Sequence, residues 1–92
     1  MSDDRIDIQP TPNPNALKFS LDRPTTAGGP RTYRTPDEAG DNEAARALIA
    51  IDGVVNVFMT ANFISVNKSP EADWDTIVPM ATEAIKAGYY KD

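Results

Sequence analysis

Ninety-two residues with nine basic and fourteen acidic side chains carry a net charge of -5. One small domain with a thin core fits that length, and the acidic balance argues against nucleic acid or an anionic membrane as partner. Cysteine and histidine are both absent, which removes disulfides, thiolate metal ligation, thiol nucleophiles and imidazole acid–base chemistry.

The chain opens on Met-Ser-Asp-Asp-Arg-Ile-Asp, acidic and without an apolar stretch. It reads as neither a secretory signal nor a transit peptide, so the cytoplasm is the expected location. Nothing in the sequence is apolar for long enough to span a bilayer.

Residues 5–9 and 17–21 alternate apolar with polar side chains and predict two half-buried strands. Between them runs Pro10-Thr11-Pro12-Asn13-Pro14-Asn15, with prolines at alternate positions. Each proline fixes φ and removes a backbone donor, and restricts the residue before it to extended conformations. The segment predicts a stiff connector at a sheet edge.

Residues 22–40 are poor in apolar side chains and rich in Gly, Pro and Thr. They predict a long surface loop with a short edge strand over 31–34. Gly28-Gly29 lacks the Lys and the strand–loop–helix context of a phosphate loop.

Residues 41–51 predict the first helix, with Ala44, Leu48 and Ile51 on one face and Asp41 or Asn42 as its cap. Gly53 ends it. Asp37, Glu38, Asp41 and Glu43 cluster at its start, where carboxylates complement the helix dipole. That accounts for them without a metal site.

Residues 52–68, Asp-Gly-Val-Val-Asn-Val-Phe-Met-Thr-Ala-Asn-Phe-Ile-Ser-Val-Asn-Lys, are the centre of the chain and predict a β-hairpin. A loop at Thr60-Ala61, or a longer one over 59–62, places Val57 opposite Ile64 and Val55 opposite Val66. Those four share one face. Phe58 then faces Phe63 on the other, partly exposed face.

Residues 73–88 predict the second helix, capped by Asp73, with Trp74, Ile77, Val78, Ala81 and Ile85 in an apolar stripe. Pro79 falls inside it and predicts a kink or a late start. Trp74 is expected in the core, over Ile64 and Val66. The reading is a single α+β domain of order ββαββα, a two-layer structure with both helices on one face of an antiparallel sheet.

Several stretches resemble the N-terminal domain of the Nfu family of iron–sulfur scaffold proteins. Residues 11–19, Thr-Pro-Asn-Pro-Asn-Ala-Leu-Lys-Phe, are close to that family's signature. Ile51-Asp52-Gly53-Val54 followed by Val57-Phe58 resembles a second motif. Asn62-Phe63-Ile64-Ser65-Val66-Asn67-Lys68 resembles a third, and Asp73-Trp74 with Pro79 a fourth. The order and spacing match over about residues 8–85.

The resemblance implies a non-catalytic accessory role in iron–sulfur cluster assembly, with a protein partner that is a cluster carrier or an apo-target bearing Cys-x-x-Cys. Two-domain members carry the cluster on a second domain with that motif, and this chain has no cysteine. No cofactor is therefore expected to be held by the chain, and the iron binding associated with the family is assigned to no residue. Asn42-Glu43-Ala44-Ala45 stands where the family has a Ser-Pro-Leu-Ala-like helix start.

The candidate partner surface is Pro12, Asn13, Pro14 and Asn15 of the stiff turn, with Phe58 and Phe63 of the hairpin. No catalytic residue is expected, because no nucleophile has an adjacent base, and no metal residue, because the acids are spread over helix starts and tails rather than converging on one point. A small binding or regulatory module unrelated to iron–sulfur metabolism is the alternative, since a fold does not fix a function.

Overall fold

A computed structural model describes residues 6–25 and 29–90. The elements run β1 (Ile6–Pro10), β2 (Ala16–Leu21), β3 (Arg31–Tyr33), α1 (Pro36–Ala39), α2 (Glu43–Ile49), β4 (Val54–Thr60), β5 (Phe63–Lys68) and α3 (Trp74–Tyr89). Five antiparallel strands form one sheet in the order β1-β2-β5-β4-β3. The α+β class and the packing of the main helices on one sheet face agree with the sequence reading. The short strand foreseen over 31–34 is β3, on the edge beside β4. Arg5 and Gly28, read as a strand start and as part of a glycine pair, lie outside the described residues.

The core lies between the helices and the inner sheet face. Phe19, Leu21, Val57, Met59, Ile64 and Val66 meet Ala44, Ala45, Leu48, Ile77, Ala81 and Ile85, and all are buried. Alternation places Lys18, Ser20, Phe58, Thr60, Phe63 and Ser65 on the opposite, open face.

Several details differ from the sequence expectation. In the hairpin, Val57 pairs with Val66 and Met59 with Ile64, two residues from the expected register. The turn is Ala61-Asn62, with Ala61 at φ 48°. A slip of two residues leaves every side chain on its face, so Val57, Ile64 and Val66 still point inward. Val55 does not. An irregularity between Val54 and Asn56 inserts it as an extra residue, and it is 48% exposed. Met59 takes the core place expected of Val55.

Ile8 shares the inward phase of Ile6 but is exposed, because β1 is the sheet edge and only its Ile6 end is covered.

The loop over 22–40 contains the one-turn helix α1. Thr35 caps it by accepting from the Glu38 N–H, Pro36 opens it, and the Glu38 carboxylate accepts from the Arg34 N–H. This is a variant of the capping box, with the acid reaching the N–H one residue before the cap, and proline in the first turn. The helix predicted over 41–51 is shorter, and of its two expected caps it uses Asn42, the Oδ1 of Asn42 accepting from the Ala45 N–H at 3.0 Å.

The α3 helix runs through Pro79 without a break. Trp74 is only half-buried, packed at the rim of the core rather than within it.

Candidate functional site

The β1–β2 connector folds into a self-bonded turn. Thr11 Oγ1 donates to Asn13 O and Ala16 O and accepts from the Asn13 N–H. Asn13 Oδ1 accepts from the Asn15 N–H at 2.9 Å, and Asn13 O accepts from the Ala16 N–H at 3.0 Å. Such side-chain-to-backbone bonds replace the donors and ladder partners that proline removes. Pro12, Asn13 and Pro14 remain exposed at the tip.

Two side chains from distant sequence fasten this turn to the domain. Trp74 Nε1 donates to Pro14 O at 2.9 Å. Lys68 Nζ donates to Asn15 Oδ1 at 3.1 Å and to Ser69 O at 3.2 Å, and lies 5.7 Å from the Trp74 ring centre. The Lys68 N–H adds a bond to Asn15 O. Lys68 is only 9% exposed. Its ammonium is held by neutral oxygens and an aromatic face, an arrangement that keeps a buried cation solvated.

Gly53 completes the pole. Its carbonyl accepts from the Ser69 N–H at 2.8 Å. Its φ is 98°, and a Cβ there would stand 2.7 Å from Ala72 Cβ. Parts of all four stretches singled out in the sequence thus meet at one end of the sheet: residues 11–15 of the first, 52–54 of the second, Lys68 of the third and 73–74 of the fourth.

Phe58 and Phe63 lie elsewhere. Phe63 starts β5, at the hairpin-turn end, whereas the Pro-Asn-Pro-Asn turn adjoins the Asn67–Lys68 end. The two rings sit diagonally rather than directly opposite, because Phe58 pairs with Ser65 and Phe63 with Thr60. Their centres are 6.5 Å apart, tilted by 54°. Lys18 Nζ lies 4.5 Å over the Phe63 ring. The structure therefore divides the six candidate surface residues into Pro12, Asn13, Pro14 and Asn15 at the pole, and Phe58 and Phe63 on the open face.

Lys68 was missed as a site residue. Its signal was present, because 64, 66 and 68 alternate in phase, so a lysine in line with Ile64 and Val66 points inward.

At the opposite end the last turn of α3 is clasped to β2. Tyr90 OH donates to Asp22 Oδ1 at 2.7 Å, and Arg23 donates to Tyr89 O at 2.7 Å while stacking 4.1 Å over the Tyr90 ring. The Tyr90 bond holds the Asp22 carboxyl below its ordinary value, assisted by Arg23; burial pushes the Tyr90 phenol up, helped by the bond to Asp22.

A shallow cleft of about 300 Å³ opens beside this clasp, between the start of α2 and the end of α3, with Asp41, Glu43 and Tyr89 among its walls. Among the described residues no group of three or more acidic side chains converges to hold a metal ion. Nor is any helix there long and apolar enough to cross a membrane.

Fold and pole together define a small two-layer α+β domain that presents a rigid proline turn. The family model described as "Scaffold protein Nfu/NifU N terminal" matches residues 6–92, and the chain belongs to that family. It is 39% identical over 74 residues to NifU-like protein 5, mitochondrial, of Arabidopsis thaliana, covering 80% of this chain and 27% of that protein. It is 39% identical over 72 residues to a Staphylococcus aureus protein named conserved virulence factor C, covering 78% of this chain and 19% of that protein. The chain thus spans about a quarter or less of these relatives.

Among solved structures, the crystal structure of Staphylococcus aureus protein SAV1430 superposes with a TM-score of 0.78 at 28% identity, covering 88% of this chain and 98% of that one. The fold is also that of a NifU-like protein from Saccharomyces cerevisiae, with a TM-score of 0.77 at 24% identity and coverage of 95% of this chain and 82% of that one.

Proposed function

We propose that this domain is a non-catalytic accessory in iron–sulfur cluster assembly, working in the cytoplasm, and that it docks a cluster carrier or an apo-target through the Pro-Asn-Pro-Asn pole. The observation that carries this reading is that residues from each of the four family motifs, 11–15, Gly53, Lys68 and Trp74, meet at that pole. Its backbone is tied down from three directions by Thr11, Lys68 and Trp74. A preordered turn loses little conformational entropy on binding, so contact energy goes into affinity. Pro12, Asn13 and Pro14 supply the exposed tip, and Asn15 anchors it from beneath.

The chain's own residues do not fit an iron–sulfur cluster. Cluster irons are held chiefly by thiolates, in some centres by imidazoles, and the sequence has neither. The partner supplies those ligands. After anaerobic reconstitution with iron and sulfide and desalting, the purified protein is expected to be colourless and free of stoichiometric iron. About one tightly held iron or cluster per chain overturns that expectation.

Function is tested by deleting the gene and assaying cluster-dependent dehydratases. Lowered activity restored by the wild type, but not by a Pro12→Glu/Pro14→Glu variant of native stability, is expected. Normal dehydratase activity in the deletion strain would sink the proposal in favour of a module outside iron–sulfur metabolism.

A further inference from the structure

Phe58 and Phe63 remain after the pole has been assigned. They sit on a sheet face that no element of the described chain covers. The strand positions on that face are Asp7 and Gln9 of β1, Lys18 and Ser20 of β2, Phe63, Ser65 and Asn67 of β5, Asn56, Phe58 and Thr60 of β4, and Thr32 of β3. Asp7 and Lys18 are the two charges among them, and they cancel. The Asn56 and Asn67 side chains satisfy each other at 2.7 Å. Among the described residues the other charged side chains, ten acidic and six basic, lie off this face. Two neighbouring aromatic rings on β4 and β5, with few charges around them, give this face the aromatic enrichment and charge depletion of an interface core.

We infer that the open sheet face is a self-association surface, where a second copy of this chain packs face to face about a twofold axis. Two copies of an acidic protein repel wherever their acidic surfaces meet. Sheet-to-sheet packing sets each copy's acidic helix layer on the outside, with both sheets between them. A twofold contact also lets Asp7 of one copy face Lys18 of the other, and the reverse, because an isologous interface is self-complementary. A highly charged partner would find on this face only Asp7 and Lys18, one charge of each sign.

The size of the face sets the strength. Five strands about 4.8 Å apart and some six residues long give a footprint of roughly 400 Å² per copy, about half that of a stable complex. An interface of that size belongs to the weak, transient class, populated only at high protein concentration.

Sedimentation equilibrium from about 10 μM to about 2 mM reads this directly. The weight-average mass is expected to rise from 10.0 kDa toward twice that value. Raising salt to about 1 M should not weaken it, because apolar contact rather than ion pairing carries the association. A Phe58→Lys/Phe63→Lys variant should stay monomeric throughout. If loss of the rings disturbs folding, Ser65→Lys keeps both rings, adds a cation opposite Lys18 and should also abolish the rise. The Pro12→Glu/Pro14→Glu variant should associate as the wild type does, which separates this inference from the docking role of the pole. A wild-type mass that stays at the monomer value up to about 2 mM overturns it and gives the face to a different protein. A dimer that survives Ser65→Lys and the paired Phe substitutions overturns it too.

Discussion

At the residue scale, two glycines make opposite use of the missing side chain. Gly53 needs both a positive φ of 98° and the space that Ala72 occupies. Gly88 has ordinary helical geometry, but a Cβ there would stand 2.7 Å from Ala44 Cβ. Gly53→Ala is expected to cost about 2–4 kcal/mol, combining backbone strain with a clash at the pole. Gly88→Ala should cost about 1–3 kcal/mol through overpacking of α2 against α3. Urea denaturation of both variants checks the order, and equal midpoints would show that the Gly53 backbone is unstrained.

Trp74 illustrates where sequence reading stops. Its place in the apolar stripe of α3 was legible, and Ile77, Ala81 and Ile85 are indeed buried. That its indole N–H would reach Pro14, sixty residues away, has no local signature. Because Trp74 is half-buried, Trp74→Ala should cost about 2 kcal/mol, short of the roughly 3–5 kcal/mol of a fully buried ring. Trp74→Phe keeps most of the packing and deletes the donor, at about 0.5–1.5 kcal/mol. Amide exchange in Asn13 and Asn15 should accelerate in both variants; unchanged exchange would mean that Thr11 and Lys68 suffice to hold the turn.

At the element scale, the end of α3 depends on titratable groups. The folded state lowers the Asp22 pKa from 3.8, so it binds fewer protons than the unfolded chain near that value. Stability from the Asp22 clasp is therefore full above the unfolded value and lost as pH falls through the folded one. Tyr90 has the reverse sign. Its folded pKa lies above 10.0, so its contribution is full below that value and lost as pH rises through the folded one. Tyr90→Phe should flatten the stability profile at both ends, measured as urea midpoints across pH. A profile identical to wild type would show that the clasp contributes nothing.

The same scale shows which elements were readable. Strands β2, β4 and β5 and helix α3 follow from strong periodicity. Hairpin register did not, because two residues of slip preserve every inward face and leave the apolar pattern blind to it. The displaced Val55 was equally hidden, since bulges have no required residue type. Helix α1 was legible but passed over: Thr35-Pro36-Asp37-Glu38 is an N-cap, a first-turn proline and a capping-box acid in succession.

For the whole molecule, the order of strands was the least accessible feature. Two hairpins were evident, but their union through β2 and β5 depends on contacts between residues 16–20 and 63–67. Local pattern does not encode such pairings. The candidate site was half legible for the same reason. The proline turn announced itself, whereas the long-range fastening by Lys68 and Trp74 that makes it rigid did not.

The borders of the sheet have a consequence for how the protein behaves when crowded. One border strand ends in Pro10, which has no amide hydrogen to offer a newcomer. The other, β3, is three residues long, and the bulge at Val55 distorts the stretch of β4 beyond it. Growth by adding strand to strand is therefore disfavoured on both sides. Concentrated samples should remain clear and negative to amyloid dyes, and any assembly should dissolve on dilution. Dye-positive fibrils from the native protein at neutral pH would show that one border is open after all.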